Sequence, residues 1–333
     1  MKNFTYYRPA TAEQAVALLE NRWGNTELLA GGTDLLDLQK EYVAQPSRVV
    51  SLAGIANLAG ITVDQKSARI GAGTKLADIA AHADLAKQFP GLIQAADIIG
   101  GPQIRNMGTL GGNLCQRNRC WYFRDEHTNC LLKGGQRCFA LDGENKYHAV
   151  FAAGHRCVIV HPSTLAPVLI ALGATVEILG PKGRQTQDLA KFFHAPSTPT
   201  EREHNLAPNE MVVSVSIPVR GLASASYEVR QKQAYDWPLV QAAVAFQGGR
   251  DGNKATGVKI VLGHVAPTPH VSESAAKAME GRAINEESAS AAGRAAADGA
   301  KPLSQTAYKI KLIEVAVKRA LLTAAGQKRY WEA

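Results

Sequence analysis

All five cysteines of the chain, Cys115, Cys120, Cys130, Cys138 and Cys157, fall in one short segment. The first four lie within the 24 residues CQRNRCWYFRDEHTNCLLKGGQRC. Thiols gathered in this way can close disulfides, hold zinc, hold an iron–sulfur cluster or pack a core. The gaps of 5, 10, 8 and 19 residues contain no CxxC pair, so the zinc-ribbon and ferredoxin runs are absent. A cluster can still be built from dispersed ligands that the fold gathers. The segment carries Arg117, Arg119, Arg124, Lys133, Arg137, Lys146 and Arg156 against Asp125, Glu126, Asp142 and Glu144, a surplus of three positive charges. That surplus would offset an anionic cluster, and amides in KGGQRC would donate to its sulfurs. Zinc would suit the same thiols, or sets using His127, His148 or His155. The N-terminus MKNFTYYRPATAEQ has no apolar leader, which predicts folding in the cytoplasm and disfavours disulfides. No acid–base pair or nucleophilic triad stands out, so no catalytic side chain is expected and cofactors would carry the chemistry.

Two glycine loops offer a second chemistry. LLAGGTDLL (Leu28–Leu36) places Gly31 and Gly32 between a strand and a helix, where the backbone can approach a ligand closely. NMGTLGGNL (Asn106–Leu114) has the same character about 75 residues later. Two such loops suit a pyrophosphate held between two lobes. IGAGTKLADI begins like a dinucleotide fingerprint at Gly71 and Gly73, but Leu76 occupies the third glycine position, so no such site is expected there.

The elements that must position these residues alternate. Phe4–Tyr7 and Glu27–Ala30 read as strands, with a further strand in SRVVSLAGI. Thr11 caps a helix through Leu19, with Gln14 reaching back, and a second helix starts near Asp34. Strand, turn and helix repeat from Ile61 to Leu114. CVIVHPSTLAPVLIALGATVEILG reads strand, helix, strand; residues 195–210 read as a polar surface loop; MVVSVSIPV closes the unit as a strand. Three strand candidates follow in ASYEVRQKQ, LVQAAVAFQ and TGVKIVLGHVA, the last two joined by a hairpin signal in GGRDGN. The Ala-rich remainder reads as helices, the last with Ser304 near its start, Ile313, Val317, Ala320 and Leu321 on one face, and Gly326 past its end.

At 333 residues and 46% hydrophobic content the chain suits two domains and a sizeable core. No run approaches the ~18 apolar residues of a membrane span. The charge of +8 has no aromatic-interleaved basic stripe beside it, which argues against nucleic acid; a polyanionic cofactor or an acidic partner would use it.

AGGTDLL, IRNMGTLGGNL, VIVHPSTLAPVLIALGA and YDWPLV, in this order, resemble the FAD-binding medium subunits of molybdenum hydroxylases. That family includes xanthine dehydrogenase, aldehyde oxidoreductase, carbon monoxide dehydrogenase and 4-hydroxybenzoyl-CoA reductase. The resemblance implies an α+β fold: a two-lobed FAD-binding domain of the vanillyl-alcohol-oxidase/xanthine-dehydrogenase type over 1–219, then a small α+β C-terminal domain over 220–333. It implies that Leu29, Ala30, Gly31, Gly32, Thr33, Asp34 and Leu35 cradle the FAD pyrophosphate. Ile104, Asn106, Gly108, Thr109, Gly111, Gly112 and Asn113 would form the second wall, with His161 and Thr164 near the flavin. Relatives often carry Asp where Thr164 stands, and a Lys near Val229, where Arg230 and Lys232 are the local cations. Lys232 is the one placed toward the cofactor; a solvated strand face is its other reading.

About 40 residues separate GGN from the strand at Val158, where many relatives run directly on. The subset resembling 4-hydroxybenzoyl-CoA reductase and bacterial aldehyde oxidoreductases carries such an insertion, here about 115–157, and binds a [4Fe–4S] cluster. The resemblance assigns Cys120, Cys130, Cys138 and Cys157 as ligands and leaves Cys115 as a packing residue beside FAD. It implies an electron-transfer subunit, with aldehyde oxidoreductase as the leading complex and xanthine dehydrogenase-like or aryl-CoA reductase-like complexes as alternatives. The implied partners are a molybdopterin-containing large subunit, a small [2Fe–2S] subunit and an external electron acceptor, with the periplasm open if a partner carries the export signal. A metal-stabilised interaction module without flavin and a self-contained FAD reductase of the cell-wall precursor type are the rival readings.

Overall fold

Short β-branched runs broken by glycine turns assemble into three sheets in a computed structural model, which describes residues 1–231, 236–249, 252–327 and 331. The first sheet is parallel and contains β1 (Thr5–Tyr7), β2 (Thr26–Leu29) and β3 (Arg48–Ser51), in the order β1-β3-β2. Val49 and Val50 of the central strand are fully buried, as a parallel strand covered on both faces requires. Helices α1 (Ala12–Ala17) and α2 (Leu35–Lys40) connect these strands. Thr11 does cap α1, accepting the Gln14 amide at 3.2 Å, while Gln14 reaches back to the Ala10 amide and the helix stops short of Leu19.

The second sheet is antiparallel and contains β4 (Ile61–Val63), β5 (Ser67–Gly71), β6 (Thr175–Gly180), β7 (Gly183–Asp188) and β8 (Met211–Pro218), in the order β4-β5-β8-β6-β7. The edge strand β7, GRQTQD, is polar and exposed, which blunts edge-to-edge pairing. Between β5 and the cysteine segment run α3 (Leu76–Ala80), α4 (Ala83–Gln88), α5 (Pro90–Asp97), α6 (Pro102–Met107) and α7 (Leu110–Cys115). A Cβ on Gly71 would stand 2.4 Å from the Leu58 carbonyl oxygen, so that glycine answers a close backbone crossing.

The cysteine segment holds one short helix, α8 (Trp121–Arg124), and its own small core of Phe123, Leu131, Leu132, Ala149 and Ile159. Helix α9 (Leu165–Ala171) follows, with all seven residues buried. A helix apolar on every side must be covered on every side. It packs on α5 and on the third sheet, whose Ala243, Ala245 and Val261 join the large core of the first two sheets.

That third sheet is antiparallel: β9 (Ala223–Val229), β10 (Val240–Gly248), β11 (Ala255–Gly263) and β12 (His270–Val271), in the order β12-β11-β10-β9. Helices α10 (Glu273–Met279), α11 (Glu286–Ala295) and α12 (Tyr308–Ala324) cover it, with Ile313, Val317, Ala320 and Leu321 fully buried. Gly326 follows α12 with φ +73°, the left-handed turn expected past a helix end.

Two local expectations fail. Residues 157–163 form no strand: His161 donates to the Ala266 carbonyl and Ser163 to the His161 ring, with no ladder to a neighbouring strand. Ser304 does lie in the turn before the last helix, where its hydroxyl accepts from the Asn145 side chain (2.9 Å), and the helix begins at Tyr308. The polar loop 195–210 is not wholly superficial: Glu203 and His204 are buried.

Candidate functional site

The strand β2 delivers Ala30, Gly31 and Gly32 to a turn in which Gly32 has φ +79°, a value that favours glycine. Among the described residues the amides of Gly32, Thr33 and Asp34 have no hydrogen-bond acceptor. A Cβ on Gly31 would lie 1.9 Å from the Met107 carbonyl oxygen, so the two glycine loops touch backbone to backbone. On the second loop the Thr109 hydroxyl accepts the Gly112 amide at 3.1 Å. Asn113 then accepts from the Ser163 hydroxyl at 2.6 Å, which ties this loop to the segment before α9.

Two clefts open on either side of the junction. The first, about 1110 Å³, is walled by Ala30–Leu35, Gly111 and the apolar Leu28, Leu206 and Met211. The second, about 970 Å³, is walled by Ile98, Ile104, Gly108, Asn113, Pro162 and Thr164. They share Thr33, Asp34, Thr109, Gly112 and Gln116, so they form one trough of small-molecule size.

Of the residues expected near a cofactor, Ala30, Gly31, Gly32, Thr33, Asp34, Leu35, Ile104, Gly108, Thr109, Gly111, Gly112, Asn113 and Thr164 line this trough. Leu29, Asn106 and His161 line neither cleft. Asn106 is exposed and donates to the Pro102 carbonyl. His161 is buried edge-on against Phe193, and burial lowers its imidazole to about 4. Lys232 lies outside the described residues.

The structure adds residues that the sequence hid. Arg117 faces the first cleft; its Nε lies 2.7 Å from a Glu203 oxygen, and its Nη2 has no hydrogen-bond partner among the described residues. Burial alone would raise the Glu203 carboxyl, but the Arg117 charge and the Asn118 donors outweigh it and hold it at about 2. In the second cleft, Glu228 is buried and burial pushes its carboxyl up to about 7, against the pull of Arg230 and the Thr164 hydroxyl. A buried unpaired guanidinium nitrogen, free loop amides and glycines closed to a side chain fit a pyrophosphate-bearing dinucleotide such as FAD.

The cysteines divide. Cys115 ends α7, packs against the large core and lines the first cleft; burial pushes its thiol up to about 12. Cys120, Cys130, Cys138 and Cys157 belong to the small core of the insertion, and no disulfide joins any of the five. The neighbouring Cys157 thiol lowers the Cys138 thiol to about 6, and Cys138 pushes Cys157 up in turn. Burial also raises Cys120 and Cys130, and each of the four interacts with at least one other. Nearby backbone amides favour the thiolate at all four: Tyr122 and Phe123 at Cys120, Leu132 and Lys133 at Cys130, Ala140, Leu141 and Val158 at Cys138, and Ile159 at Cys157. His148 Nε2 lies 3.2 Å from the Cys120 sulfur.

Among the described residues no three His, Cys, Asp or Glu side chains stand where they could hold one metal ion. A single zinc needs its donors about 2.3 Å from one centre, a gathering this segment lacks. Thiolates on a multi-iron cluster bind different irons and stand further apart, and amide donors to sulfur are what such a cluster uses.

Three of the five arginines of the segment turn away from the thiols. Arg119 and Arg124 pair with Asp34 and Asp37 of the first lobe, and Arg117 with Glu203. They fasten the insertion to the glycine loop instead of surrounding the thiols.

Comparison with known proteins agrees with this geometry. The family described as "FAD binding domain in molybdopterin dehydrogenase" matches residues 2–220, and "CO dehydrogenase flavoprotein C-terminal domain" matches residues 225–324. The aldehyde oxidoreductase FAD-binding subunit of Escherichia coli (strain K12) is 34% identical over 272 residues, covering 81% of this chain and 83% of that protein. The carbon monoxide dehydrogenase medium chain of Hydrogenophaga pseudoflava is 28% identical over 327 residues, 96% of each chain. A chain in the crystal structure of Cu,Mo-CO dehydrogenase in its cyanide-inactivated form matches with a TM-score of 0.76 at 25% identity, over 98% of this chain and 99% of that one. Among the described residues no helix is long and apolar enough to cross a membrane. The chain belongs to the FAD-binding medium-subunit family of the molybdenum hydroxylases and is a flavoprotein subunit of an oxidoreductase.

Proposed function

We propose that this chain is the FAD-binding electron-transfer subunit of an aldehyde oxidoreductase, that it also holds a [4Fe–4S] cluster, and that it works beside a molybdopterin-containing large subunit and a small [2Fe–2S] subunit. The observation that carries the flavin part is the shared trough over the Gly31–Met107 contact, with unsatisfied amides on one wall and glycines on both. The aldehyde reading rests on 34% identity to the aldehyde oxidoreductase subunit, against 28% and 24% for carbon monoxide and xanthine dehydrogenase subunits. In this reading the FAD domain spans 1–219, with its insertion at about 115–157, and the C-terminal domain spans 220–333.

When bound, FAD supplies two-electron storage and the cluster one-electron exchange. The chain's own residues do the rest. Gly32, Thr33 and Asp34 would offer amides to the pyrophosphate, and Arg117 would add a positive charge in the first cleft. Pro162, Thr164, Ile98 and Ile104 would wall the part of the cofactor held in the second cleft. Cys120, Cys130, Cys138 and Cys157 are the cluster ligands of this proposal, supported by their common core and the amides near their sulfurs.

The test is to purify the chain from its own complex and release the bound chromophore by denaturation. FAD at about one per chain, with molybdenum and [2Fe–2S] subunits co-purifying, is the expected result. A colourless chain that folds and stays active alone would end this reading and favour an interaction module.

A further inference from the structure

Glu228 is the one buried carboxyl of the second cleft that the scheme above leaves without work. It sits on β9, opposite Gln241 of β10 in register, with its side chain 3% exposed. Its Oε1 has no hydrogen-bond partner among the described residues. Its Oε2 lies 3.7 Å from Arg230 Nε, a charge contact longer than a hydrogen bond, and the nearby Thr164 hydroxyl favours its ionised form. An unpartnered buried carboxyl oxygen costs free energy unless something in the cavity uses it.

The charged and titratable neighbours are few. Arg230, on the chain just after β9, also donates to the Ile98 carbonyl beyond α5. From β10 comes the neutral Gln241, whose amide donates to the Thr164 carbonyl and the Ser226 hydroxyl. Gln94 of α5 accepts the Ser226 amide, and Asp97 of α5 faces Arg105 at 3.9 Å. On the side of β9 covered by α12, Arg319 bonds the Tyr227 hydroxyl. Across the cleft stand Asp34 and Arg119, already paired with each other, and Asp236 at the rim.

We propose that Glu228 is the charge-compensating proton carrier of the flavin site: it takes up a proton when the ring is reduced and releases it when the ring is reoxidised. This rests on the FAD reading given above. Two electrons from an iron–sulfur partner subunit and one proton convert the neutral oxidised ring to its anionic reduced form. A second anion on Glu228 in the same buried cleft would be repelled, since like charges in a low-dielectric site disfavour joint ionisation. Where the oxidised site holds Glu228 ionised, on the alkaline side of pH 7, a second proton bound by Glu228 removes that repulsion, so two electrons and two protons enter together. Reoxidation by the external acceptor returns both. Burial already brings the carboxyl to about 7, where a modest change in ring charge moves its proton occupancy.

The experiment is a spectroelectrochemical titration of the flavin in the assembled complex, over about one pH unit either side of 7, for the wild type and Glu228→Gln. FAD content is measured first. The wild-type slope is expected to steepen across pH 7, from about 30 mV per pH unit on the acid side, where Glu228 is already protonated, toward about 59 mV on the alkaline side, and the variant to stay at about 30 mV per pH unit throughout. Equal slopes with FAD bound in both would overturn the proposal alone. A wild type without FAD would overturn it together with the flavin reading. If the variant fails to assemble, the reduced-minus-oxidised infrared spectrum of the wild type decides. It should gain a protonated-carboxyl band that labelled glutamate shifts, and no carboxyl change would overturn the proposal.

Discussion

Asp34 and Arg124 meet at 2.6 Å across ninety positions of sequence, joining the first glycine loop to the cysteine insertion. The same carboxylate accepts the Arg117 amide at 2.8 Å and faces Arg119 at 3.0 Å. A residue at the start of α2 would ordinarily cap its helix, yet Asp34 makes no side-chain cap bond. Its hydrogen bonds go to the insertion, so the two redox sites of the proposal share one anchor.

Asp34→Ala should therefore loosen both sites at once. Losing charge-assisted hydrogen bonds at a mostly buried carboxylate costs about 2 kcal/mol. The melting temperature should fall by roughly 4 °C, and FAD content and iron content should drop together. A loss of FAD with full iron retention would show that the two sites are independent.

The glycine contacts predict a contrast between two alanine variants. A methyl at Gly31 meets the Met107 carbonyl, so Gly31→Ala must separate the loops and should cost roughly 3 kcal/mol. At Gly112 the closest outside atom is the Thr109 hydroxyl oxygen, at 3.1 Å, and a helical alanine is favoured over glycine. Gly112→Ala should fold as stably as the wild type while FAD affinity drops at least about tenfold, which is about 1.4 kcal/mol. Thermal unfolding of FAD-stripped protein and FAD titration separate these outcomes.

Glu203 sets an acid limit. Its carboxyl is held at about 2 in the folded chain, below the ordinary 4.5. A lowered carboxyl stabilises above the ordinary value, and that stability is lost as the pH falls from about 4.5 through about 2. The contribution is about 3 kcal/mol. Glu203→Gln should be less stable at neutral pH and should lose less on acidification, as read from urea midpoints at about pH 7 and about pH 3. A parallel acid loss in both proteins would place the sensitivity elsewhere.

Much of this was legible in the sequence where local chemistry sets local form. Gly31 and Gly32 announce a strand-to-helix turn because other residues resist the conformation and the close approach. The strands β9 to β11 and the buried face of α12 follow from apolar spacing. The sequence was silent where partners are distant. Glu203 lies in a polar, proline-rich loop, and Arg117 and Asn118, from the cysteine insertion, make its burial tolerable. Glu228 looks like any alternating strand residue until Thr164 and the cleft surround it. The arginines among the cysteines suggested an anionic cluster as their partner, but Asp34 and Asp37 take two of them.

The most direct measurement is iron and FAD per chain in the wild type, Cys115→Ser and Cys130→Ser, each purified with its partner subunits and corrected for their iron. The account predicts about four irons and one FAD in the wild type and in Cys115→Ser, and FAD without cluster iron in Cys130→Ser. Equal iron in the two variants, or no cluster iron in the wild type, would contradict it.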